Sequence, residues 1–427
     1  MKITVVGSGY VGLCTAVGFA NLGHDVVCVD LDQKKVDKIN KGEAPIYEDG
    51  LEDMLSQALQ KNKLHATTDI DSIKETNFIF VAVGTPSKYN GSIDLKYIEG
   101  ASANIANFIK SQKYCTIVIK STVLPETTEK IVLPILEKSG KKAGKDFGLC
   151  VNPEFLREGK AVEDFFNPDR IVIGEHDNRS GDELVKLYNN FKTPIMRTDL
   201  KTAELIKYAS NAFLATKITF INEIGNMCKN LGIDVYDVAE GMGLDKRIGK
   251  NFLQAGIGFG GSCFRKDVEA LLSKTKETRA ESKILSTILG INKEQPLRIV
   301  YLLKKRLPDL EGKTIAVLGL AFKEGTDDIR DAPSISIIAE LLKHGCVVKS
   351  YDPKASDNMS KIYPYIDYCN SVGAALNETD ACLILTAWDE FKKLSDKDFS
   401  NMKSKIIIEG RKVLDKSLVT SFEGVSW

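Results

Sequence analysis

The sequence predicts an α/β protein with two doubly wound, parallel-sheet domains joined by a long central helix. Residues 2–6 form a β-branched run that leads through a glycine turn into a helical pattern, and a similar strand ending in glycine recurs at 313–320. Between them, residues 199 to about 231 form one proline-free helical pattern. Alternating strands and helices of this kind are typical of doubly wound sheets. We therefore expect three domains, at 1–198, 199–300 and 301–427.

Composition limits the classes of function. The 427 residues suffice for two or three domains, and 58 basic residues balance 58 acidic ones, which argues against nucleic-acid and membrane partners. The nine cysteines include no CxxC pair, so we expect neither a disulfide framework nor a metal site. The start of the chain does not resemble a signal peptide, and no apolar stretch approaches the ~20 residues that cross a bilayer. These features favour a reduced, cytoplasmic location.

The first glycine turn has the spacing of a dinucleotide-binding, Rossmann-like fingerprint. Gly7, Gly9 and Gly12 lie between a predicted strand and a helix, and a second strand ends at Asp30. In such a unit the glycines let the backbone approach a pyrophosphate, and the acid receives a ribose hydroxyl. The carboxylate favours NAD over NADP because it would repel a 2′-phosphate, although Lys34 and Lys35 lie close in sequence.

Two further predicted strands, at 77–83 and 116–119, run into small polar residues. Ligands in an open parallel sheet lie beyond the carboxyl ends of the strands, so Thr85 and Thr122 are candidates for the cofactor site. Each threonine could instead be only a helix cap. A later strand ends in a loop with two carboxylates, Glu154 and Glu158, four residues apart.

The long helical pattern has a cap signal at each end and polar residues along one face. Asp199 can cap its start and Gly232 its end. A helix of ~30 residues spans ~45 Å, enough for much of a dimer interface. Glu204, Lys207 and Asn211 follow i, i+3, i+7 spacing within apolar surroundings, so we predict a polar site in a buried helix and not a solvated face.

The glycine-rich stretch 256–262 ends in a thiol, Cys263, just before a run from residue 264 to 275 that predicts a helix. A helix N-terminus favours a thiolate, and Arg265 and Lys266 add positive charge nearby. Asp267 lies four residues on, where a carboxylate would face the sulfur. The alternative is an inert buried cysteine in a structural loop.

The third section repeats the pattern of the first. A strand at 313–320 ends in glycine, a helix is expected from about 334 to 344, and a strand at 347–352 ends in an acid. Further strands are expected at 381–385 and 405–408. We predict a second Rossmann-like unit here.

Several motifs together resemble the UDP-glucose/GDP-mannose dehydrogenase family, and within it the members that oxidise UDP-glucose. They run in one order along almost the whole chain: Gly-Ser-Gly-Tyr-Val-Gly at 7–12, Ile-Tyr-Glu at 46–48, Gly-Thr-Pro at 84–86, Lys-Ser-Thr-Val at 120–123, Asn-Pro-Glu-Phe-Leu-Arg-Glu-Gly at 152–159, Lys-Tyr-Ala-Ser-Asn-Ala-Phe at 207–213, Gly-Phe-Gly-Gly-Ser-Cys at 258–263, Ala-Phe-Lys at 321–323 and Thr-Asp-Asp-Ile-Arg at 326–330.

The resemblance implies a four-electron oxidation of a nucleotide sugar at C6, with two NAD reduced and one water consumed. A thiol is needed because it can capture the intermediate aldehyde for a second oxidation. The implied roles are Cys263 as nucleophile, Lys207 and Asn211 as oxyanion stabilisers, Asp267 and Thr122 as holders of a water, and Glu154 as the hydrolytic base. Lys207, Asp267 and a bound water all remain candidates for the first proton.

The resemblance also implies the ligand contacts. NAD contacts are expected, besides the three glycines, from Val11, Asp30, Lys35, Thr85, Thr122, Glu158, Lys266 and Arg330. Substrate contacts, with UDP-glucose favoured, are expected from Glu154, Phe155, Leu156, Arg157, Glu158, Lys207, Asn211, Phe252, Phe259, Gly260, Lys323 and Arg411. Arg247 matches an arginine that reaches the substrate of the neighbouring subunit, so we expect a homodimer.

Three other functions are compatible with parts of this pattern. The substrate could be another nucleotide sugar, such as a UDP-N-acetyl-hexosamine or GDP-mannose. A two-electron hydroxy-acid dehydrogenase would share the first domain and the Lys/Asn helix but would have no use for Cys263. An NAD-sensing binding protein would be expected to lack the thiol or the lysine, and both are present.

Overall fold

The computed structural model describes residues 1–73 and 75–427, which divide into two compact units. The first comprises residues 1–210 and 276–278, and the second comprises residues 211–275 and 279–427. The predicted domain boundaries at 198 and 300 stay a prediction.

The first unit contains an eight-stranded sheet in the order β3-β2-β1-β4-β5-β6-β7-β8. Neighbouring strands are parallel except β6 and β7. Its elements are β1 Lys2–Val6, α1 Tyr10–Asn21, β2 Asp25–Val29, α2 Gln33–Lys41, α3 Leu51–Gln60, β3 Leu64–Thr67, a 3₁₀ turn Ile70–Ser72, β4 Phe78–Val81, α4 Lys96–Ile109, β5 Thr116–Ile119, a π-helical turn Thr128–Val132, α5 Leu133–Glu137, β6 Gly148–Val151, α6 Ala161–Phe166, β7 Ile171–Glu175, α7 Asn178–Leu187 and β8 Ile195–Asp199. The first six strands have the Rossmann order 3-2-1-4-5-6.

The core of this unit lies on both faces of the sheet. One cluster packs α1 against β1 and β2, with Leu13, Val17 and Phe19 almost fully buried. A second cluster packs α4 on the opposite face through Ile98 and Ile105. Because both faces are covered, β4, β5 and β6 are apolar along their whole length, as the continuous runs in the sequence predict.

Helix α8, Leu200–Leu231, is 32 residues long. The side chain of Asp199 accepts the backbone amide of Thr202 at 3.0 Å, and Gly232 follows the helix with φ +69°. Both predicted end signals are confirmed, since each acts through its own local backbone.

The second unit contains a six-stranded parallel sheet in the order β11-β10-β9-β12-β13-β14, again 3-2-1-4-5-6. Its elements are α9 Val235–Gly243, α10 Phe264–Glu277, α11 Lys283–Glu294, α12 Leu297–Arg306, β9 Thr314–Leu318, α13 Pro333–Lys343, β10 Val347–Tyr351, α14 Ser356–Ser360, β11 Asp367–Tyr368, α15 Val372–Leu376, β12 Ala381–Ile384, a 3₁₀ turn Phe391–Lys393, β13 Ile407–Glu409 and β14 Glu423–Gly424. The predicted fold class, two Rossmann-like sheets and a long helix, is confirmed.

All nine cysteines are free thiols, and seven of them are buried. Only Cys263 and Cys369 are partly exposed. Among the described residues, none of the helices is both long and apolar enough to cross a membrane.

Candidate active site

The turn after β1 is shaped for a close ligand. Gly7 has φ +100°, and a Cβ there would lie 2.6 Å from the carbonyl oxygen of Ala82. A Cβ on Gly12 would lie 1.8 Å from the carbonyl oxygen of Gly7, so this helix needs glycine to pack against the turn. A Cβ on Gly9 would meet nothing within 4 Å. The open space is therefore at the position where a pyrophosphate approaches the backbone of such a turn.

Asp30, directly after β2, is hydrogen-bonded to this turn and is still partly exposed. Its Oδ2 accepts the amide and the hydroxyl of Ser8 at 2.7 and 2.6 Å, and its Oδ1 accepts the amide of Asp32 at 3.0 Å. Partial burial pushes the pKa of Asp30 upward, but the hydrogen bonds from Ser8 and Asp32 and the charge of Lys35 outweigh it and hold the pKa below its ordinary value. The carboxylate keeps free lone pairs for a ribose hydroxyl.

The corresponding acid of the second sheet, Asp352, is buried and fully used. Its Oδ2 accepts the amides of Leu320 and Ala321 and the indole N–H of Trp388 at 2.6, 3.1 and 3.0 Å. Its Oδ1 accepts two further amides, from Lys354 and Ala355, at 2.8 Å each. Five hydrogen bonds leave this carboxylate little capacity for a ligand.

Lys207 and Glu154 form a buried ion pair in the first unit. Lys207 Nζ lies 2.9 Å from Glu154 Oε1, and the two side chains are 5% and 6% exposed. The backbone amide of Leu156 donates to Glu154 Oε2 at 2.6 Å. Burial pushes the pKa of Glu154 upward, but the Lys207 charge and hydrogen bond, the Leu156 amide and Lys120 bring it below the usual range. Glu154 is therefore a carboxylate at neutral pH.

Sequence reasoning missed a second buried lysine, Lys120, whose charge helps to keep Glu154 ionised. Lys120 follows β5 and donates to Asn152 Oδ1 at 3.0 Å, and the Tyr188 hydroxyl donates to the same oxygen at 2.7 Å. Burial lowers the pKa of Lys120 to about 8; the charge of Glu154 raises it and that of Lys207 lowers it further. Lys120 and Asn152 belong to motifs at strand ends that the sequence already marks, so that signal could have found both.

Glu204 is buried, as its place in the polar stripe predicts, but its partners are backbone groups. Its carboxylate accepts the amide of Glu126 at 2.7 Å and that of Thr128 at 2.9 Å. Burial raises the pKa of Glu204 to about 7 against the opposing effect of these hydrogen bonds. Glu204 thus fixes the segment that follows Thr122, whose carbonyl oxygen lies 3.5 Å from the hydroxyl of Tyr208.

Cys263 lies immediately before α10 and is partly exposed. Its carbonyl oxygen accepts the amide of Asp267 at 2.8 Å, which closes the first turn of the helix, and its Sγ lies 3.5 Å from Ser262 Oγ. The expected positive charge near the thiol is weaker than the sequence suggests. Arg265 is paired with Glu269 and Asp331 at 2.8 Å each, because acids one helical turn away and in a neighbouring loop compete for its guanidinium.

Asp267 joins two other predicted site residues in the second unit. Asn211 Nδ2 donates to Asp267 Oδ2 at 2.6 Å, and Lys266 Nζ donates to Asp267 Oδ1 at 2.7 Å. Asp267 and Asn211 are 1% and 6% exposed. The charge of Lys266 is thereby balanced within one residue of the chain.

Aromatic rings surround the start of α10. Phe264 packs edge-on against Phe259 and Phe252, with ring centroids 5.7 and 6.2 Å away. Phe252 has φ +65°, which is unusual for a bulky residue, and such strain is concentrated at functional sites. Arg411 is partly buried and donates to the carbonyl of Gly258. Burial lowers the pKa of Arg411, although charges on Tyr236 and Glu324 oppose this.

Three arginines that the sequence suggests for ligand contacts sit in local ion pairs. The pairs are Arg157 with Asp164, Arg247 with Asp245, and Arg330 with Asp328. These arginine side chains are 55%, 88% and 63% exposed, so each stays open to solvent. Lys323 Nζ lies 5.6 Å from the ring centroid of Phe322. Of the other predicted contacts, Thr85 and Gly260 are buried, whereas Val11, Lys35, Phe155, Leu156 and Glu158 are partly exposed.

Sequence reasoning missed four amide side chains. Three of them, Asn222, Asn292 and Gln295, bind the glycine loop, and the fourth, Asn226, donates to Gln295. Asn222 Oδ1 accepts the amide of Gly256 at 2.8 Å. Asn222 lies eleven residues after Asn211, about three helical turns, so a longer reading of the polar stripe would have found it. Asn292 on α11 and Gln295 just after it could not have been found in this way, because the sequence does not distinguish a buried amide on an amphipathic helix from one at the surface.

The open glycine turn and its acid in the first Rossmann sheet define a dinucleotide-binding protein, and the dehydrogenase family that the chain matches makes it an NAD-dependent oxidoreductase. The chain matches three consecutive domains described as the NAD binding, central and UDP binding domains of one family, over residues 1–192, 201–294 and 316–416. It belongs to the UDP-glucose/GDP-mannose dehydrogenase family, which confirms the resemblance seen in the sequence.

Relatives that are similar along the whole chain support this family assignment. UDP-glucose 6-dehydrogenase of Rickettsia bellii is 46% identical, with 99% of this chain and 97% of that protein covered. UDP-glucose 6-dehydrogenase of Haloferax volcanii is 43% identical, with 100% and 99% covered. The solved structure of a UDP-glucose dehydrogenase from Pyrobaculum islandicum is similar at a TM-score of 0.94 and 40% identity, covering 100% of this chain and 98% of that one.

Proposed function

We propose that this protein is a UDP-glucose 6-dehydrogenase that oxidises C6 of UDP-glucose to a carboxylate with two NAD and one water. The observation that carries this proposal is the partly exposed Cys263 thiol at the start of α10, in the same unit as the Asn211–Asp267 pair. An ordinary two-electron dehydrogenase would have no use for that thiol. The relatives of the same name, similar along their whole length, support UDP-glucose as the substrate.

The chemistry balances in four steps. The primary alcohol loses a hydride and a proton to give the aldehyde. The thiol of Cys263 adds to the aldehyde carbon and gives a thiohemiacetal. Loss of a second hydride and a proton gives a thioester, and water cleaves it to release the carboxylate and the free thiol. When bound, NAD supplies the hydride acceptor for each oxidation, so two NADH form per sugar.

The buried polar groups are assigned to charge stabilisation. Lys207 is kept as an ammonium by Glu154 at 2.9 Å, so it would stabilise the oxyanions of the tetrahedral species without leaving its place. Asn211, one helical turn later on α8, would donate a hydrogen bond to the same oxyanion. Its orientation is fixed by Asp267.

The proton-transfer groups follow from the charge states. Glu154 would act as the base for the attacking water because its lowered pKa keeps it ionised. Lys207, as an ion-paired ammonium, is a poor proton acceptor. We therefore assign the first proton to a water held by Asp267 and Thr122. If the amine of Lys207 were the base, the activity of wild type would rise through an alkaline pKa.

The NAD contacts are assigned to the first glycine turn and its surroundings. Gly7, Gly9, Val11 and Gly12 would hold the pyrophosphate, and Asp30 a ribose hydroxyl; the remaining contacts would come from Lys35, Thr85, Thr122, Glu158, Lys266 and Arg330. The clear space at Gly9 supports the fit. Phe252, Phe259, Gly260, Lys323, Arg411 and the loop 154–158 are assigned to the nucleotide sugar. The nine free thiols favour a reducing, cytoplasmic location.

We also propose that two copies of the chain form a homodimer through α8. Phe213, Phe220 and Met227 recur every seven residues, so they lie on one face of the helix, and they are 65%, 47% and 54% exposed. An apolar stripe of this kind suits a second copy of itself. Arg247, 88% exposed on its side chain, is assigned to the partner's substrate.

Light scattering tests the dimer and should give twice the chain mass. Phe220→Glu should give a monomer with reduced activity. A fully active monomeric wild type would contradict the dimer.

The decisive test counts NADH. With limiting UDP-glucose and excess NAD, we expect two NADH per sugar and an acidic product. One NADH per sugar would exclude the four-electron scheme. Initial rates with UDP-glucose, UDP-N-acetyl-hexosamines and GDP-mannose then identify the substrate, since the preferred sugar should have a kcat/KM at least about tenfold higher, ~1.4 kcal/mol in transition-state binding.

A further inference from the structure

The backbone just before the nucleophile is held by neutral amide side chains. Gly256 donates to Asn222 Oδ1 at 2.8 Å and accepts from Gln295 Nε2 at 2.7 Å. Three residues later, Phe259 donates to Asn292 Oδ1 at 2.8 Å and accepts from Asn292 Nδ2 at 3.0 Å. The N–H and the C=O of both residues are thus hydrogen-bonded to side chains and not to a strand or helix.

Asn292 grips Phe259 at both its N–H and its C=O. Only an amide offers a donor and an acceptor in this arrangement, because a carboxylate accepts only and an ammonium donates only. The side chain also fixes the conformation of the preceding residue. Gly258 has φ +89°, and a Cβ there would lie 2.7 Å from Asn292 Oδ1. Glycine at 258 and an amide at 292 therefore both stabilise this path of the loop.

Gln295 extends the same support to α8. Its Oε1 accepts from Asn226 Nδ2 at 2.9 Å, and its side chain is almost fully buried. Leaving a buried amide group unpaired costs about 1–3 kcal/mol. Loss of one of these hydrogen bonds would therefore also destabilise the side chain that takes part in the next one. The support bears no net charge.

The held residues lead directly to the thiol. Phe259 packs on Phe264 with centroids 5.7 Å apart, and Phe264 is the residue after Cys263. The amide of Gly261 donates to the carbonyl of Arg330 at 2.8 Å. A shift of Phe259 therefore changes the packing of the first residue of α10 and, with it, the direction of the sulfur.

We propose that Asn292 is a positioning residue that sets whether the aldehyde intermediate is captured by Cys263 or escapes. The proposal rests on the function proposed above. The first oxidation does not use the thiol, whereas the second cannot occur until the C–S bond has formed. Loss of the support at Phe259 should therefore affect the second oxidation more than the first. A misplacement of about 1 Å can cost about 100-fold in rate, so the effect should be large enough to measure.

The test measures how the aldehyde is partitioned. Asn292→Asp keeps the size of the side chain but turns its donor into an acceptor facing the carbonyl of Phe259, and Asn292→Ala removes both hydrogen bonds. Thr287→Ala on the same helix is the matched control, because the Thr287 hydroxyl donates to Lys283 O within α11 and not to the glycine loop. Each variant converts limiting UDP-glucose with excess NAD in the presence of semicarbazide, which traps free aldehyde, and NADH and trapped sugar are counted.

Wild type and Thr287→Ala should give two NADH per sugar and no trapped aldehyde. Asn292→Asp and Asn292→Ala should fall toward one NADH, with the shortfall recovered as trapped aldehyde and with the Kd for NAD unchanged. If both variants keep two NADH per sugar while their unfolding temperature falls, the clamp is only structural and the inference is wrong. If Asn292→Ala does not fold, the isosteric Asn292→Asp decides alone. One NADH from wild type would instead overturn the proposed function, so the two failures are distinct.

Discussion

The two sheets have the same strand order but differ at the turn where a Rossmann sheet binds its ligand. In the first, Gly7 donates to Val29 O at 2.7 Å, and in the second, Gly319 donates to Tyr351 O at 2.8 Å. Both glycines have a positive φ, +100° and +92°. In each sheet the next strand is followed directly by an acid, which is Asp30 after β2 and Asp352 after β10. The two turns therefore share the conformation of their first glycine and its hydrogen bond to the next strand.

What differs is the space and the hydrogen-bonding capacity around that turn. Gly9, two residues after Gly7, has open space, whereas the equivalent position after Gly319 is Ala321, which is 3% exposed. Asp30 accepts three hydrogen bonds and is partly exposed. Asp352 accepts five and is buried. Strand order therefore provides a possible ligand site, and the side chains around the turn decide whether that site is open.

The largest effect should come from the thiol of the second unit. Cys263→Ser should lower net turnover by about 1,000-fold or more, the scale of losing a covalent nucleophile, because an alcohol does not sustain the second oxidation. The Kd for NAD should not change, because serine is nearly isosteric with cysteine and none of the assigned NAD contacts is replaced. Turnover and isothermal titration check both parts. Cys369→Ser, the other partly exposed thiol, is the control. Near-normal turnover of Cys263→Ser would refute the thioester route.

The next effect should separate the two turns. Gly9→Val places a side chain in the pyrophosphate space and should weaken NAD binding about 10- to 100-fold, ~1.4–2.8 kcal/mol. It should fold normally, since Gly9 has φ −69° and its Cβ would meet no neighbour. Ala321→Gly, at the equivalent position, should leave NAD binding unchanged. Unchanged affinity for NAD in Gly9→Val would show that the first turn is not the cofactor site.

A smaller effect should separate the two acids. Asp30→Asn should weaken NAD binding about tenfold, ~1.4 kcal/mol. Its amide would also face the backbone donors of Ser8 and Asp32, but the loss of stability should be smaller than at Asp352 because Asp30 is partly exposed and accepts fewer hydrogen bonds. Asp352→Asn should leave NAD binding intact and lower the free energy of unfolding by about 1–3 kcal/mol, because its amide would face donors that need acceptors. Binding titrations and urea unfolding distinguish the two outcomes. If Asp352→Asn weakened NAD binding while Asp30→Asn did not, the assignment of the two turns would be reversed.

The smallest effect should be a pH slope. Glu204 has its pKa raised to about 7 from 4.5, so the folded protein binds more protons than the unfolded chain between these values. Its stabilising contribution is fully present below pH 4.5 and is lost as the pH rises through 7. The free energy of unfolding should fall across this window by roughly 1 kcal/mol or less per pH unit, and Glu204→Gln should flatten that slope. Glu409 is a buried acid of the second unit whose pKa is also raised by burial, so Glu409→Gln should flatten the slope as well. An identical slope in Glu204→Gln and wild type would contradict this.

Features that act through local backbone could be predicted from the sequence. The ends of α8 follow from Asp199 and Gly232, and the first glycine turn follows from the spacing of three glycines. The start of α10 just after Cys263 follows from the end of the glycine stretch. Each depends on residues within one or two turns of the chain.

Features that depend on distant residues could not be predicted. Nothing in the spacing distinguishes Asp352 from Asp30, because the N–H groups that donate to Asp352 come from three separate segments. The neutralisation of Arg265 by Asp331 joins residues 66 positions apart. Asn292 resembles a surface amide until the loop that it holds is known.

The seven buried cysteines lie out of reach of water-soluble thiol reagents, and burial raises the pKa of Cys14 and Cys28 to about 12. A preparation treated with a maleimide under native conditions should therefore label Cys263 and Cys369 first, and in Cys369→Ser almost Cys263 alone. The fraction of label that substrate protects then measures the concentration of competent catalytic centres. The protein thus offers an active-site titration that requires no turnover.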